Sequence, residues 1–399
     1  MFRVVLKQAR PGMTLARTLT DPHRPDAALL ARGDVLSPDV IAFLHEEGIY
    51  DLWIQDAGLN VLEDLIAPSL DRERQRLGET IIQGFHTAGQ RAAPGFCTAH
   101  MRETLRGALQ MLLTSNLPCV KELAGADEHI VRHGAEVCYT ALLLGARLQE
   151  YVMEQRRHVG IHAREMVTLA LGCLFHDLGE TLLDDKDREQ RRVESGTSTA
   201  WQRHAELGFN LVRGQLDPSA AAVVLHHHQH FDGTGFPALA GKEPQTGERI
   251  HVFSRIAMVA DTFTHFLKHD GVPMPSVHAL WRLQHPTCRG WCDPVVLGAL
   301  METVTPYLPG MVVQLSDRRF AVVTGTNAAT PCYPEVQTLS TMTLRHDEEP
   351  MPRERIDLAT RGDLWVQTVD GIDVTPFSYG AAKKPTLAAL AETRMAIAV

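Results

Sequence analysis

The chain has 399 residues, 44% of them hydrophobic, and a formal net charge of −9. That length allows about two or three domains with real cores, and the acidic balance, with a sequence pI near 6.1, argues against a nucleic-acid surface. No run approaches the ~20 apolar residues needed to cross a bilayer, so no membrane role is expected.

The opening Met-Phe-Arg-Val-Val-Leu-Lys lacks the apolar core of a secretory leader. Seven cysteines without paired spacing fit a reducing cytoplasm better than a disulfide framework. Residues 1–66 read as a small N-terminal α+β module. Phe2–Leu6 is a strand candidate, and Met13–Leu19 and Ala28–Leu36 are two more around the polar loop Asp21–Asp26. Ser37 then caps a helix with Pro38 at its first position and Gly48 just past its end, before a closing strand over Tyr50–Gln55. Residues 67–125 carry helical spacing in Leu70–Phe85 and Met101–Leu113 and read as a helical connector.

Residues 126–305 change character. Apolar helical runs end in, or carry, nitrogen and oxygen donors: His133 on Glu128–Leu148, His176-Asp177 after Met166–Phe175, His204 ahead of Ala-Glu-Leu-Gly, and Asp261 after Arg255-Ile-Ala-Met-Val-Ala. The stretch Leu225–Pro237 packs His226, His227, His228 and His230 ahead of an aspartate and a glycine-rich turn. A buried imidazole needs partners for both nitrogens, and neutral imidazole is the commonest metal ligand. His133, His176, Asp177, His204, His227, His228 and Asp261 form a set suited to first-row divalent metals, without thiolate. Their number exceeds the needs of one tetrahedral ion and fits two ions bridged by Asp177. His129, His226 and His230 are read as surface or supporting residues. Residues 180–199 read as a polar surface connection.

These blocks, in this order over about 130 residues, resemble the HD-GYP family of metal-dependent phosphodiesterases within the HD superfamily. The matching pieces are His133-Gly-Ala-Glu-Val, Leu174-Phe-His176-Asp177-Leu-Gly, His204-Ala-Glu-Leu-Gly, His227-His228-Gln-His-Phe-Asp232-Gly-Thr-Gly-Phe-Pro237 and Arg255-Ile-Ala-Met-Val-Ala-Asp261. The resemblance implies a multidomain chain around a mainly α-helical HD-type catalytic domain at 126–305. It implies two divalent ions, iron or manganese, with His176 and Asp177 at the catalytic centre. The implied reaction is hydrolysis of a cyclic dinucleotide, cyclic di-GMP above all, by a hydroxide held on the metals. Arg255 is a candidate phosphate contact or, equally, a structural salt bridge, and Gly233 and Gly235 are candidate substrate-binding positions through close backbone approach, or part of a structural turn. The Gly-Phe-Pro turn is a candidate docking point for a signalling partner of the GGDEF type, and a homodimer fits the N-terminal module. Residues 306–399 read as a β-rich C-terminal extension with a tail. Its strand candidates are Gly310–Leu315, Phe320–Gly325, Glu335–Leu344 and Leu364–Val369.

The chain departs from the family pattern at Glu180, where the resemblance implies a lysine facing the substrate phosphate and a carboxylate would repel a phosphodiester, and at Gln229 for glutamate and Phe236 for tyrosine. An Arg-Pro-Tyr-Arg-like block is missing near Asp270–Pro275. Two readings stay open: an active phosphodiesterase, or a catalytically degenerate receptor or interaction module that keeps the fold. A third is an HD-superfamily hydrolase of another nucleotide.

Overall fold

In a computed structural model of the chain, the described residues are 1–21, 24–59, 128–155, 165–189, 199–238, 245–269, 272–339 and 353–380. The helices expected over residues 67–125 and the C-terminal tail lie outside them. The chain divides into two compact units, one formed by the N- and C-terminal segments and one by the middle of the chain.

In the first unit, β1 (Phe2–Val5) pairs antiparallel with β4 (Asp51–Ile54), Phe2 facing Ile54 and Val5 facing Asp51. Between them β2 (Leu19–Asp21) and β3 (Arg24–Leu30) form a hairpin, tighter and differently bounded than expected. Helix α1 (Pro38–Glu46) starts where the sequence predicts, because the Ser37 hydroxyl accepts from the Val40 amide at 3.2 Å. The C-terminal segment builds a six-stranded antiparallel sheet. Its strands are β5 (Val312–Leu315), β6 (Phe320–Gly325), β7 (Glu335–Thr338), β8 (Arg355–Asp357), β9 (Val366–Val369) and β10 (Ile372–Asp373), in spatial order β8-β7-β6-β5-β9-β10. Strands β8 and β10 were not anticipated. The segments expected as separate N- and C-terminal modules share one core. Phe2, Leu15, Leu44 and Leu52 cluster with Val312, Val322 and Leu339.

The second unit is helical: α2 (Glu128–Arg147), α3 (Met166–Leu174), α4 (His204–Val212), α5 (Pro218–His226), α6 (Val252–Phe266) and α7 (Pro294–Thr303), with shorter turns between. Helix α3 is buried along almost its whole length, as its unbroken apolar run requires, and packs between α2 and α5. Helices α5 and α7 open alike. Asp217 caps the Ser219 amide at 2.7 Å and Asp293 caps the Val295 amide at 2.9 Å, each followed by proline at the first helical position. Phe175, Phe253 and Phe263 are fully buried in this core, each contributing about 1.5–3 kcal/mol. Among the described residues no helix is long and apolar enough to cross a membrane.

Candidate metal centre

The packing of α2, α3, α5 and α6 decides where the donors meet. Gly134 lies so close to the end of α3 that a Cβ there would stand 2.8 Å from the Leu174 carbonyl oxygen. This approach brings His133, the preceding residue, to the end of α3. There the chain leaves the helix through Phe175-His176-Asp177 and runs into the 3-10 turn Leu178–Leu182. Helix α4 supplies His204 from its first turn, the end of α5 supplies His227 and His228, and α6 supplies Asp261.

The donors converge in two groups, Asp177 with His204, His227 and His228, and His133 with His176 and Asp261. Six of the seven are buried, and His228 is part-exposed. Asp177 stands between the groups. Its Oδ1 lies 3.5 Å from the Nε2 atoms of both His204 and His227, and its Oδ2 lies 3.4 Å from His176 Nε2 and 3.8 Å from His133 Nε2. His133 Nε2 also lies 2.9 Å from Asp261 Oδ1.

Backbone carbonyls orient three of the rings. The Nδ1 atoms of His176, His204 and His227 lie 2.7, 2.8 and 2.9 Å from the carbonyl oxygens of Cys173, Trp201 and Val224. Donation from Nδ1 leaves each neutral ring with its Nε2 lone pair turned inward. The Nε2 atoms of His204 and His227 then face each other at 3.2 Å, beside a carboxylate. His176 Nε2 and His228 Nε2 are buried without a hydrogen-bond partner. Lone pairs directed at lone pairs are repulsive unless a cation lies among them, so the donor chemistry fits divalent metal.

The electrostatics agree. Burial works against a charged His176, yet Asp177 and Asp261 outweigh it and lift its pKa to about 9. Burial would also raise Asp261, but His133 and His176 hold it well below the usual carboxylate range. At the rim, burial and the neighbouring His227 push His228 well below the ordinary histidine value. Without metal the two carboxylates thus favour a proton on His176, and a divalent ion bound at its Nε2 would displace that proton.

Sequence reasoning missed Trp201. Its indole Nε1 donates to Glu180 Oε1 at 2.8 Å, and its ring centroid lies 4.6 Å from that of His204, 5.2 Å from His228 and 5.7 Å from Phe236. A tryptophan three residues before a ligand candidate was the only signal. Glu180 is 5% exposed, so its carboxylate is engaged within the protein. The buried Gln229 donates to the Pro237 carbonyl at 2.7 Å and ties the glycine turn down.

One expected substrate contact is corrected. Arg255 is 2% exposed, and its guanidinium is occupied: Nε donates to the Ile250 carbonyl, Nη1 to Tyr151 and Asp293, and Nη2 to Gln155. It is a buried structural cation. It lines a hollow of about 320 Å³ with Gln155, His226 and His251, and none of the seven donors lines that hollow. A Cβ on Gly235 would stand 2.1 Å from the His228 carbonyl oxygen, and one on Gly233 would stand 2.4 Å from the Thr246 side chain. Both positions are close-packed on the side a Cβ would occupy, so each requires glycine. Gly235→Ala is expected to destabilise the protein by about 1–3 kcal/mol through overpacking beside His228, read as a lowered thermal midpoint.

The remaining histidines take supporting places. His129 is exposed, 6.4 Å from the His133 ring. His226 is buried beside the hollow. His230 stacks on Trp291 at 4.4 Å and bonds Thr234, and burial pushes its pKa down to about 4.

Residues 130–265 match the HD domain family. The chain is 25% identical over 248 residues to a cyclic di-GMP phosphodiesterase of Pseudomonas aeruginosa, covering 60% of this chain and 54% of that one. It is 26% identical over 109 residues to a cyclic di-GMP phosphodiesterase response regulator of Xanthomonas campestris pv. campestris, covering 26% of this chain and 28% of that one. The chain thus spans about half or less of the length of the curated relatives it matches. Among solved structures, an HDG"Y"P protein from Bdellovibrio bacteriovorus aligns over 75% of this chain and 97% of its own, with 13% identity and a TM-score of 0.36. The likeness to the HD domain family is confined to residues 130–265, the segment that carries all seven donors.

Proposed function

We propose that the chain is an HD-GYP-type phosphodiesterase that hydrolyses a cyclic dinucleotide, cyclic di-GMP above all, with His133, His176, Asp177, His204, His227, His228 and Asp261 holding two divalent ions, iron or manganese. The observation that carries this reading is Asp177, whose two oxygens divide between the two donor groups. The names of the two curated relatives support the substrate. When bound, a pair of divalent ions supplies Lewis acidity, activating water as a nucleophile at neutral pH and offsetting charge on the phosphoryl oxygens.

The chain's own residues do the rest. The carbonyls of Cys173, Trp201 and Val224 hold three imidazoles in the ligating tautomer. Asp177 and Asp261 supply the negative charge that draws cations into a buried site. The part-exposed side of the cluster, at His228, is where a substrate phosphate gains access. The burial of Glu180 under Trp201 favours activity over a degenerate receptor, since the carboxylate in the family's lysine position is shielded.

The test joins metal analysis to product analysis. Protein purified with iron or manganese is expected to convert cyclic di-GMP to the linear dinucleotide or GMP, and chelated protein to lose that turnover and regain it on adding metal back. Equal turnover by metal-stripped protein would overturn the reading.

A further inference from the structure

An aromatic rim flanks the donor cluster, made of His228, itself one of the donors, with Trp201 and Phe236, which offer no ligating atom. Trp201, Phe236 and His228 are each part-exposed, while Asp177, His204 and His227 behind them are buried. The three rings form one continuous wall. Phe236 lies 4.4 Å from His228 in a 31° tilt, and Trp201 lies 5.7 Å from Phe236 and 5.2 Å from His228. Among the described residues neither expected cationic contact is available, because position 180 carries glutamate and Arg255 is tied to Asp293, Tyr151 and Gln155. What the chain presents beside its cluster is π-surface. Nucleobases stack on such surface without needing a charge.

Glu180 decides where that surface stands. It sits in the 3-10 turn Leu178–Leu182, directly after the Asp177 ligand candidate, and this turn packs against α4. Its Oε1 accepts the Trp201 indole hydrogen at 2.8 Å. The Trp201 carbonyl in turn accepts from His204 Nδ1 at 2.8 Å. One residue is therefore held at both ends, by a carboxylate on the turn and by a ring of the cluster.

We infer that Trp201, with Phe236, is the surface on which a purine base of the substrate stacks, and that Glu180 is the positioning residue that fixes the indole plane for it. In this chain, stacking replaces the lysine–phosphate contact at position 180 as a source of substrate affinity. The inference rests on the nucleotide reading of the preceding subsection and deepens it.

The test is equilibrium binding to the full chain by calorimetry. Cyclic di-GMP, cyclic di-AMP and 3′,5′-cyclic AMP are titrated into wild type, Trp201→Ala, Glu180→Ala and Glu180→Gln, with metal content and near-ultraviolet circular dichroism measured on each. Trp201→Ala is expected to weaken binding of the favoured purine nucleotide on the order of 10- to 100-fold, the worth of one stacked base. Glu180→Ala is expected to lose a comparable factor and change the tryptophan dichroism. Glu180→Gln, which keeps an acceptor for the indole, recovers most of the affinity. Metal content is expected to stay at the wild-type value in all three, which separates base recognition from a merely structural part in the cluster. Undiminished binding by Trp201→Ala or Glu180→Ala, or affinity lost only in step with metal, overturns the inference. Binding of another purine nucleotide with the same mutant pattern, but not of cyclic di-GMP, sustains it and removes cyclic di-GMP as the substrate. No binding of any of the three to wild type sinks it.

Discussion

Asp177→Asn is expected to lower hydrolysis of cyclic di-GMP by roughly 10³-fold, with loss of bound metal and little change in the fold. The prediction follows from position and charge. Both carboxylate oxygens of Asp177 face imidazole Nε2 atoms, Oδ1 those of His204 and His227 at 3.5 Å and Oδ2 that of His176 at 3.4 Å. Asparagine keeps the shape and one oxygen but removes the charge that serves both donor groups at once. Metal-supported charge stabilisation is worth several kcal/mol, and about 1.4 kcal/mol is tenfold in rate, which gives the factor. The fold should survive, because α3 is held by apolar burial and by its fit against α2 and α5. Steady-state assay, metal analysis and circular dichroism on one preparation check all three parts. A variant with full metal and unreduced turnover would mean that Asp177 does not join the groups.

Arg255→Ala is the change with the largest expected effect on stability. The guanidinium and Asp293 are 2% and 1% exposed, and Tyr151 hydrogen-bonds to both. Removing one member of a buried pair leaves the other charge without compensation, at about 3–5 kcal/mol. For a domain of this size each kcal/mol lowers the thermal midpoint by about 2–4 °C, so a fall of roughly 10 °C is expected. Arg255→Lys should not restore it, since Nε, Nη1 and Nη2 all donate and an ammonium cannot reproduce that planar fork. Asp293→Asn is expected to lower the midpoint as well, because it leaves the buried Arg255 charge uncompensated even though the cap on the Val295 amide is kept. A phosphate-binding arginine would give the opposite pattern, an increased KM with unchanged melting.

The donor set was legible because each donor ends or interrupts an apolar run, which no core helix tolerates without cause. The His176-Asp177 pair after Met166–Phe175 is the clearest case. Helix α1 was legible through Ser37 and Pro38, whose roles are local. What escaped the sequence was relational. Arg255 looks the same in a chain whether its guanidinium meets a substrate or Asp293, a residue 38 positions away. Glu180 reads as repulsive toward phosphate until Trp201 is seen to use its carboxylate. Strand β10 is two residues long and has no alternation to read, although Asp370-Gly371, both with positive φ, is the two-residue turn that makes its hairpin. Strands β2 and β3 were displaced because the polar stretch between them read as a wide loop. The common core of the N- and C-terminal segments follows from contacts across about 300 residues, which no local pattern carries.

If the two donor groups that share Asp177 hold two metal ions, crystals loaded with manganese should give two anomalous peaks, one among His133, His176 and Asp261 and one among His204, His227 and His228, with Asp177 between them. A single peak served by one group, or no peak at either, would rule out the two-ion site.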